Sequence, residues 1–178
     1  MTNFINFITV ARIFLAPIIF IFLIFGNYLV CVLLFFVAGL TDYFDGYLAR
    51  KYNAESQLGE ILDPIADKIL IVFILIGLSV DLDSLLIAFL GSLIIAREIG
   101  VSALRDYSSR NNKSHKTKVT YLAKIKTSIQ LLTIFIYLFA LSADIMILII
   151  IADIFLIISV LVTMYTGYEY TINVIDEK

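Results

Sequence analysis

The sequence predicts an all-α membrane protein in which six transmembrane helices cross the bilayer and both termini face the cytoplasm. Of its 178 residues, 61% are hydrophobic and only 16% are charged, whereas about a quarter of the residues in globular domains are charged. The apolar residues form continuous runs without the alternation of a β-strand. A helix needs about 20 such residues to cross a bilayer, so helices in lipid are favoured over a membrane barrel.

The boundaries of the helices follow from the apolar runs and the polar turns between them. The run 13–41 has no charged residue and is too long for one span, and Gly26 and Asn27 offer a turn inside it. The six predicted helices are 7–25, 29–49, 61–80, 84–107, 121–141 and 145–167. Short turns are predicted at 26–28, 81–83 and 142–144, and longer loops at 50–60 and 108–120. Residues 1–178 are interpreted as a single membrane domain.

The distribution of basic residues predicts the orientation. All thirteen Lys and Arg fall on the side of the predicted helices that also holds both termini. The three turns on the other side contain Asp81, Asp83 and Asp144 but no basic residue. Because cytoplasmic loops are enriched in Lys and Arg, both termini and the acidic segment 41–68 are expected at the cytoplasmic face of the cell membrane.

Four aspartates of this segment form two pairs on neighbouring helices. Asp42 and Asp45 are three residues apart, and Asp63 and Asp67 are four apart, so each pair shares one helix face. Four uncompensated carboxylates would repel one another, and oxygen ligands suit Mg²⁺ or Mn²⁺ rather than zinc. The alternative, that they only solvate helix ends, does not explain acids at the C-terminal end of a helix.

The segment resembles the signature of the CDP-alcohol phosphatidyltransferases. All eight signature positions are occupied with the family's spacing, namely Asp42, Asp45, Gly46, Ala49, Arg50, Gly59, Asp63 and Asp67. The resemblance implies an enzyme that moves a phosphatidyl group from a CDP-linked donor, here CDP-diacylglycerol, to an alcohol and releases CMP. It also implies two Mg²⁺ or Mn²⁺ ions held by the four aspartates, with Asp67 as the general base.

The other signature residues suit a nucleotide donor. The small residues Gly46, Ala49 and Gly59 would let the nucleotide approach the helices closely. Arg50 can pair with a phosphate in a forked geometry.

Later segments resemble the bacterial family members that act on glycerol 3-phosphate. The matching stretches are Ala96-Arg97-Glu98-Ile99, Ser102-Ala103-Leu104-Arg105, Ala123-Lys124-Ile125-Lys126-Thr127 and the opening Asn6-Phe7-Ile8-Thr9-x-x-Arg12. Because this acceptor is anionic, Arg97, Arg105 and Lys124 are predicted to bind its phosphate. Lys126 points about 200° away from Lys124 on a helix, so Lys124 is preferred. The alternative for basic residues at helix ends is anchoring to lipid headgroups.

Several alternatives stay open at this point. Relatives that act on serine, inositol phosphate or phosphatidylglycerol share the acidic signature, which therefore does not choose the acceptor. A membrane prenyltransferase also uses paired aspartates, although such chains are usually longer. A cation transporter would place its acids near the bilayer midplane, whereas the signature acids are predicted at one face. Asp153 is predicted inside the last apolar helix, toward its non-cytoplasmic half and away from the site. The resemblance implies a homodimer, and no nucleic-acid partner is expected.

Overall fold

The structure is a computed structural model that describes residues 2–52, 57–110 and 121–175. These residues form six α-helices and no strand, as the sequence predicts. The helices are α1 Thr2–Ile24, α2 Tyr28–Lys51, α3 Gln57–Asp81, α4 Leu85–Arg110, α5 Tyr121–Ala143 and α6 Met146–Ile175.

The three short turns between helices share one hydrogen-bonding pattern. In the first turn, Gly26 has a positive φ of 72°, and the amide of Asn27 donates to the carbonyl of Phe22 while that of Gly26 donates to Leu23. This is the Schellman arrangement, which satisfies the last carbonyls of a helix. Asp83 and Asp144 occupy the equivalent left-handed position in the other two turns, because short polar side chains tolerate that conformation better than most.

The six helices pack as a closed ring. Going round it, α2 contacts α1, α1 contacts α3, α3 contacts α4, α4 contacts α6, α6 contacts α5, and α5 returns to α2. A further contact between α3 and α5 crosses the middle of the ring. The core contains buried aliphatic residues from all six helices, among them Ile19, Ala38, Ile74, Ile94, Leu138 and Leu156. This arrangement places α3 beside three other helices, and α3 carries half of the acidic signature.

The outer surface suits a lipid environment. Within the part of the chain that the structure describes, four stretches are long and apolar enough to cross a membrane: Asn6–Ile24, Leu85–Ser108, Ile125–Ala143 and Met146–Val174. Large hydrophobic side chains such as Phe14, Phe89 and Leu161 are about two-thirds exposed in the single chain, which is more apolar surface than a protein in water normally presents. The chain is therefore a multi-pass membrane protein.

Three helix ends differ from the predicted ones by four residues or more. Helix α1 begins at Thr2 rather than at 7. Helix α3 begins at Gln57 rather than at 61, so Gly59 lies on the helix and not in a loop. Helix α6 continues to Ile175, beyond the predicted end at 167. Glycine commonly ends helices, but Gly167 lies inside α6, where the missing side chain makes room for Arg97. A Cβ at Gly167 would lie 2.9 Å from Arg97 Cγ.

Candidate active site

The first group of polar contacts joins α1 to the acidic signature. Arg12 Nη1 donates to Asp42 Oδ1 at 2.6 Å and to Asp67 Oδ1 at 2.7 Å. One guanidinium nitrogen thus contacts carboxylates from two helices, α2 and α3. One turn earlier on α1, Thr9 Oγ1 donates to Asp63 Oδ1 at 2.9 Å. We call these five residues the aspartate cluster.

Burial within the aspartate cluster is uneven. The Arg12 side chain is 1% exposed, whereas the side chains of Asp42 and Asp67 are 50% and 43% exposed. The cation is therefore at the back of the cluster, and the carboxylates lie between it and the outside. Such an arrangement leaves the carboxylates accessible to a ligand while their inner oxygens are held in place.

Among the described residues, α2 and α3 are not direct neighbours in the ring as the sequence led us to expect, and each packs against α1 instead. Asp42, Asp63 and Asp67 all contact residues of α1, so three of the four predicted aspartates come to one region. Asp45, Ala49 and Arg50 lie on α2, but their side chains are outside the described part of the structure. Gly46 lies on α2 and Gly59 is buried on α3.

A second group of polar contacts lies among α3, α4, α5 and α6. Glu98 accepts hydrogen bonds from Arg97 Nη1 at 3.2 Å and from the Lys126 ammonium group. All three side chains are at most 15% exposed. Lys68 donates to Ser102 Oγ, which in turn donates to the Glu98 carbonyl at 2.7 Å. We call Lys68, Arg97, Glu98, Ser102 and Lys126 the basic cluster.

Arg97 is held from three sides. Its Nη2 donates to Thr166 Oγ1 on α6 at 2.9 Å, its Nη1 donates to Glu98, and its Nε lies against Gly167. Among the described residues, Nε is buried and has no hydrogen-bond partner. The side chain that sequence reasoning assigned to the acceptor phosphate is therefore packed between α4 and α6.

The other two predicted acceptor residues differ from Arg97. Arg105, two helical turns further along α4, is exposed and is accessible to a ligand. Lys124 lies on α5, and its side chain is outside the described residues. Lys126, which the sequence argument set aside in favour of Lys124, is buried in the basic cluster.

The two clusters meet on α3. Asp67 belongs to the aspartate cluster, and the next residue, Lys68, belongs to the basic cluster. Because successive residues on a helix point about 100° apart, α3 presents a carboxylate to α1 and α2 and an ammonium group to α4. The acidic and basic parts of the site are therefore adjacent.

The oxygen donors suit a hard divalent cation, but the described side chains do not form a complete metal site. Within residues 2–52, 57–110 and 121–175, no three His, Cys, Asp or Glu side chains make a ready-made metal site. Asp42 Oδ1 and Asp67 Oδ1 nevertheless both accept a hydrogen bond from the same positively charged nitrogen, Nη1 of Arg12. Carboxylate oxygens gathered about a cation are the donors that Mg²⁺ and Mn²⁺ prefer.

Sequence reasoning did not assign a role in the site to several of these residues. Thr9 and Arg12 were noted only as part of a resembling N-terminal stretch, and Glu98 only as a neighbour of Arg97. The signal available for Arg12 was its position as the one charged residue of α1, since a charge in an apolar helix is normally paired. No comparable signal singled out Thr166, which lies 69 residues from its partner.

Asp153 is away from both clusters. Tyr137 on α5 donates to Asp153 Oδ1 on α6 at 2.5 Å. This contact is a hydrogen bond between two helices. It connects α5 and α6 near the turn that joins them.

Comparison with known proteins supports the reading of the signature. The chain matches the CDP-alcohol phosphatidyltransferase family over residues 2–166. It is 38% identical to a Rickettsia typhi protein over 176 residues, which is 96% of each chain. It is 39% identical to a Rickettsia felis protein over 94% of this chain and 93% of the relative. A Blochmanniella floridana protein is 39% identical over 72% of this chain and 69% of the relative. All three relatives are named CDP-diacylglycerol–glycerol-3-phosphate 3-phosphatidyltransferase.

Proposed function

The chain belongs to the CDP-alcohol phosphatidyltransferase family, and we propose that it transfers the phosphatidyl group of CDP-diacylglycerol to sn-glycerol 3-phosphate. The products are phosphatidylglycerophosphate and CMP, so the reaction serves phospholipid biosynthesis. The observation that carries this proposal is that the aspartate cluster and the basic cluster are adjacent, because Asp67 and Lys68 are consecutive residues of α3. The acidic part suits the activation of an alcohol and the binding of metal, and the basic part suits an anionic acceptor.

Asp67 is the proposed general base. Arg12 holds one oxygen of this carboxylate at 2.7 Å, and the side chain is 43% exposed, so it is fixed yet accessible to an acceptor. Asp67 takes the proton of the acceptor hydroxyl, whose oxygen then forms a bond to the phosphorus of the phosphatidyl group. The bond from that phosphorus to the bridging pyrophosphate oxygen breaks, and CMP leaves with the bond's electrons.

Asp42, Asp45, Asp63 and Asp67 are the proposed ligands of two Mg²⁺ or Mn²⁺ ions. When bound, the ions supply positive charge that stabilises the negative charge growing on the leaving phosphate. Two observations support these residues as metal ligands. Their donors are carboxylate oxygens, and Asp42 and Asp67 both contact the Arg12 guanidinium.

The donor nucleotide is proposed to lie along Gly46, Ala49, Arg50 and Gly59. These positions follow the acidic residues on α2 or precede them on α3, so the pyrophosphate would reach the aspartates. The side chains of Ala49 and Arg50 are outside the described residues, and their roles rest on the family signature.

Arg97, Arg105 and Lys124 are the proposed residues for the acceptor phosphate. The exposure of Arg105 supports a direct contact with the phosphate. Arg97 is held by Thr166 and Glu98, so it is proposed to contribute less to phosphate binding than Arg105. Its charge would act on the phosphate from a fixed position.

We further propose six membrane spans, with both termini and the site at the cytoplasmic face of the cell membrane. Support comes from the thirteen basic residues, which all fall on one side of a six-span arrangement. Helices α2 and α3 would be the two spans whose cytoplasmic ends carry the acidic signature. A homodimer is proposed from the family resemblance.

Release of CMP tests the proposed function. The purified protein is supplied with CDP-diacylglycerol and Mg²⁺, and separately with glycerol 3-phosphate, serine or inositol phosphate. We expect CMP with glycerol 3-phosphate and loss of that activity in EDTA. CMP with serine alone would contradict the proposed acceptor, and no CMP with any acceptor from folded protein would contradict the transferase.

A further inference from the structure

Arg12 is in an unusual position for an arginine. It is the one charged residue of α1, and its side chain is 1% exposed. Burying a guanidinium away from water costs free energy unless it is paired with carboxylates. The pairing therefore has to be sufficient to hold this side chain in the interior.

The pairing is also specific in its atoms. Nη1 contacts Oδ1 of Asp42 and Oδ1 of Asp67. Thr9 Oγ1 donates to Oδ1 of Asp63. Helix α1 thus holds one oxygen of each of three signature carboxylates.

The charges of the cluster are incompletely balanced. Among the described side chains, Arg12 offsets one of the three carboxylates. Without Arg12, these carboxylates would lose the cation that they share, and like charges repel one another.

We propose that Arg12 is a positioning residue that acts as a permanent internal cation for the metal site. It holds the carboxylates of α2 and α3 together while no metal is bound. The inference rests on the proposed function for the presence of a metal, and it adds a residue outside the acidic signature to the site.

Melting of the folded protein tests this role without using turnover. The chain has one cysteine, Cys31, which is buried, so a thiol-reactive fluorescent dye reports unfolding in detergent. Melting temperatures of wild type, Arg12→Met and Arg12→Lys are measured in EDTA and in millimolar Mg²⁺. Tyr137→Phe is the matched control because it removes one buried contact between helices, remote from the aspartates.

In Arg12→Met, the carboxylates lose their internal cation and depend on Mg²⁺ for charge balance. We expect Mg²⁺ to raise the melting temperature of Arg12→Met by at least about 4 °C more than that of wild type. Arg12→Lys should bring the Mg²⁺ effect back toward wild type. Tyr137→Phe should lower the melting temperature by the same amount in EDTA and in Mg²⁺.

If Arg12→Met lowers the melting temperature equally in EDTA and in Mg²⁺, the inference is overturned, because Arg12 would then have a packing role alone. If Arg12→Met does not fold, Arg12→Gln takes its place with the same expectation. A protein that releases no CMP can still show the Mg²⁺ effect specific to Arg12→Met, so this inference and the transferase assignment fail on separate readouts.

Discussion

The aspartate cluster and the basic cluster have opposite charge patterns. In the first, one buried cation, Arg12, contacts two partly exposed carboxylates. In the second, one largely buried carboxylate, that of Glu98, contacts two largely buried cations, Arg97 and Lys126. Each cluster thus has an excess of one charge sign and contains one internal counter-charge.

This difference separates the tasks of the two regions. The excess carboxylates of the aspartate cluster are exposed, so they can bind cations and take up a proton. The excess cations of the basic cluster are buried and tie α4 to α5 and α6, while Arg105 remains exposed beyond them. Substitutions in the aspartate cluster are therefore expected to affect mainly the reaction rate. Substitutions in the second region are expected to affect mainly stability and acceptor binding.

The largest effect is expected from Asp67→Asn. The amide keeps the shape but cannot accept the acceptor's proton, so CMP release should fall by about 100- to 10,000-fold. Binding of CDP-diacylglycerol, measured by equilibrium binding in detergent, should remain detectable. Asp81→Asn, at the other end of α3 and in contact with Tyr28, is the control. Full activity in Asp67→Asn would contradict the assignment of Asp67 as the general base.

Glu98→Gln should instead reduce stability. It leaves two buried cations without their counter-charge, and breaking a buried ion pair costs about 3–5 kcal/mol. Lys126→Met combined with Glu98→Gln should cost less than the sum of the two single changes in denaturant unfolding. Asp106→Asn, which breaks an exposed pair with Arg110 at 2.8 Å, should cost under about 1 kcal/mol. Additive losses would show that Glu98 and Lys126 do not depend on each other.

Arg105→Ala should weaken binding of the acceptor. Loss of one hydrogen bond to a charged phosphate, worth about 1.5–3 kcal/mol, should raise KM for glycerol 3-phosphate about 10- to 100-fold. KM for CDP-diacylglycerol should change much less. Arg110→Ala, whose side chain is 78% exposed, should leave both constants near wild type. Equal changes in both constants for Arg105→Ala would contradict its assignment.

The smallest effect is expected from Thr9→Val. Valine keeps the shape but removes the hydrogen bond to Asp63, which is worth about 1 kcal/mol. The Mg²⁺ concentration for half-maximal activity should therefore rise a few-fold, about fivefold at most. Thr133→Val is the control because Thr133 Oγ1 donates to the carbonyl of Ile129 on its own helix. An unchanged Mg²⁺ requirement would show that Thr9 does not orient Asp63.

The fold and the acidic residues could be predicted from local sequence, because apolar runs and helical spacing are local properties. The partners of those residues could not. Arg12 meets Asp67 across 55 positions of sequence, and that contact depends on how α1 packs on α3. Likewise, the helical angle between Lys124 and Lys126 did not tell that Lys126 would lie beside Glu98.

The most direct test of the account is a competition between acceptors. The protein is given CDP-diacylglycerol and Mg²⁺ with equal concentrations of glycerol 3-phosphate, serine and inositol phosphate, and the lipid products are identified by mass spectrometry. The account predicts phosphatidylglycerophosphate as the dominant product, and a strong reduction of that product in Arg105→Ala. Phosphatidylserine or an inositol lipid as the main product would contradict it.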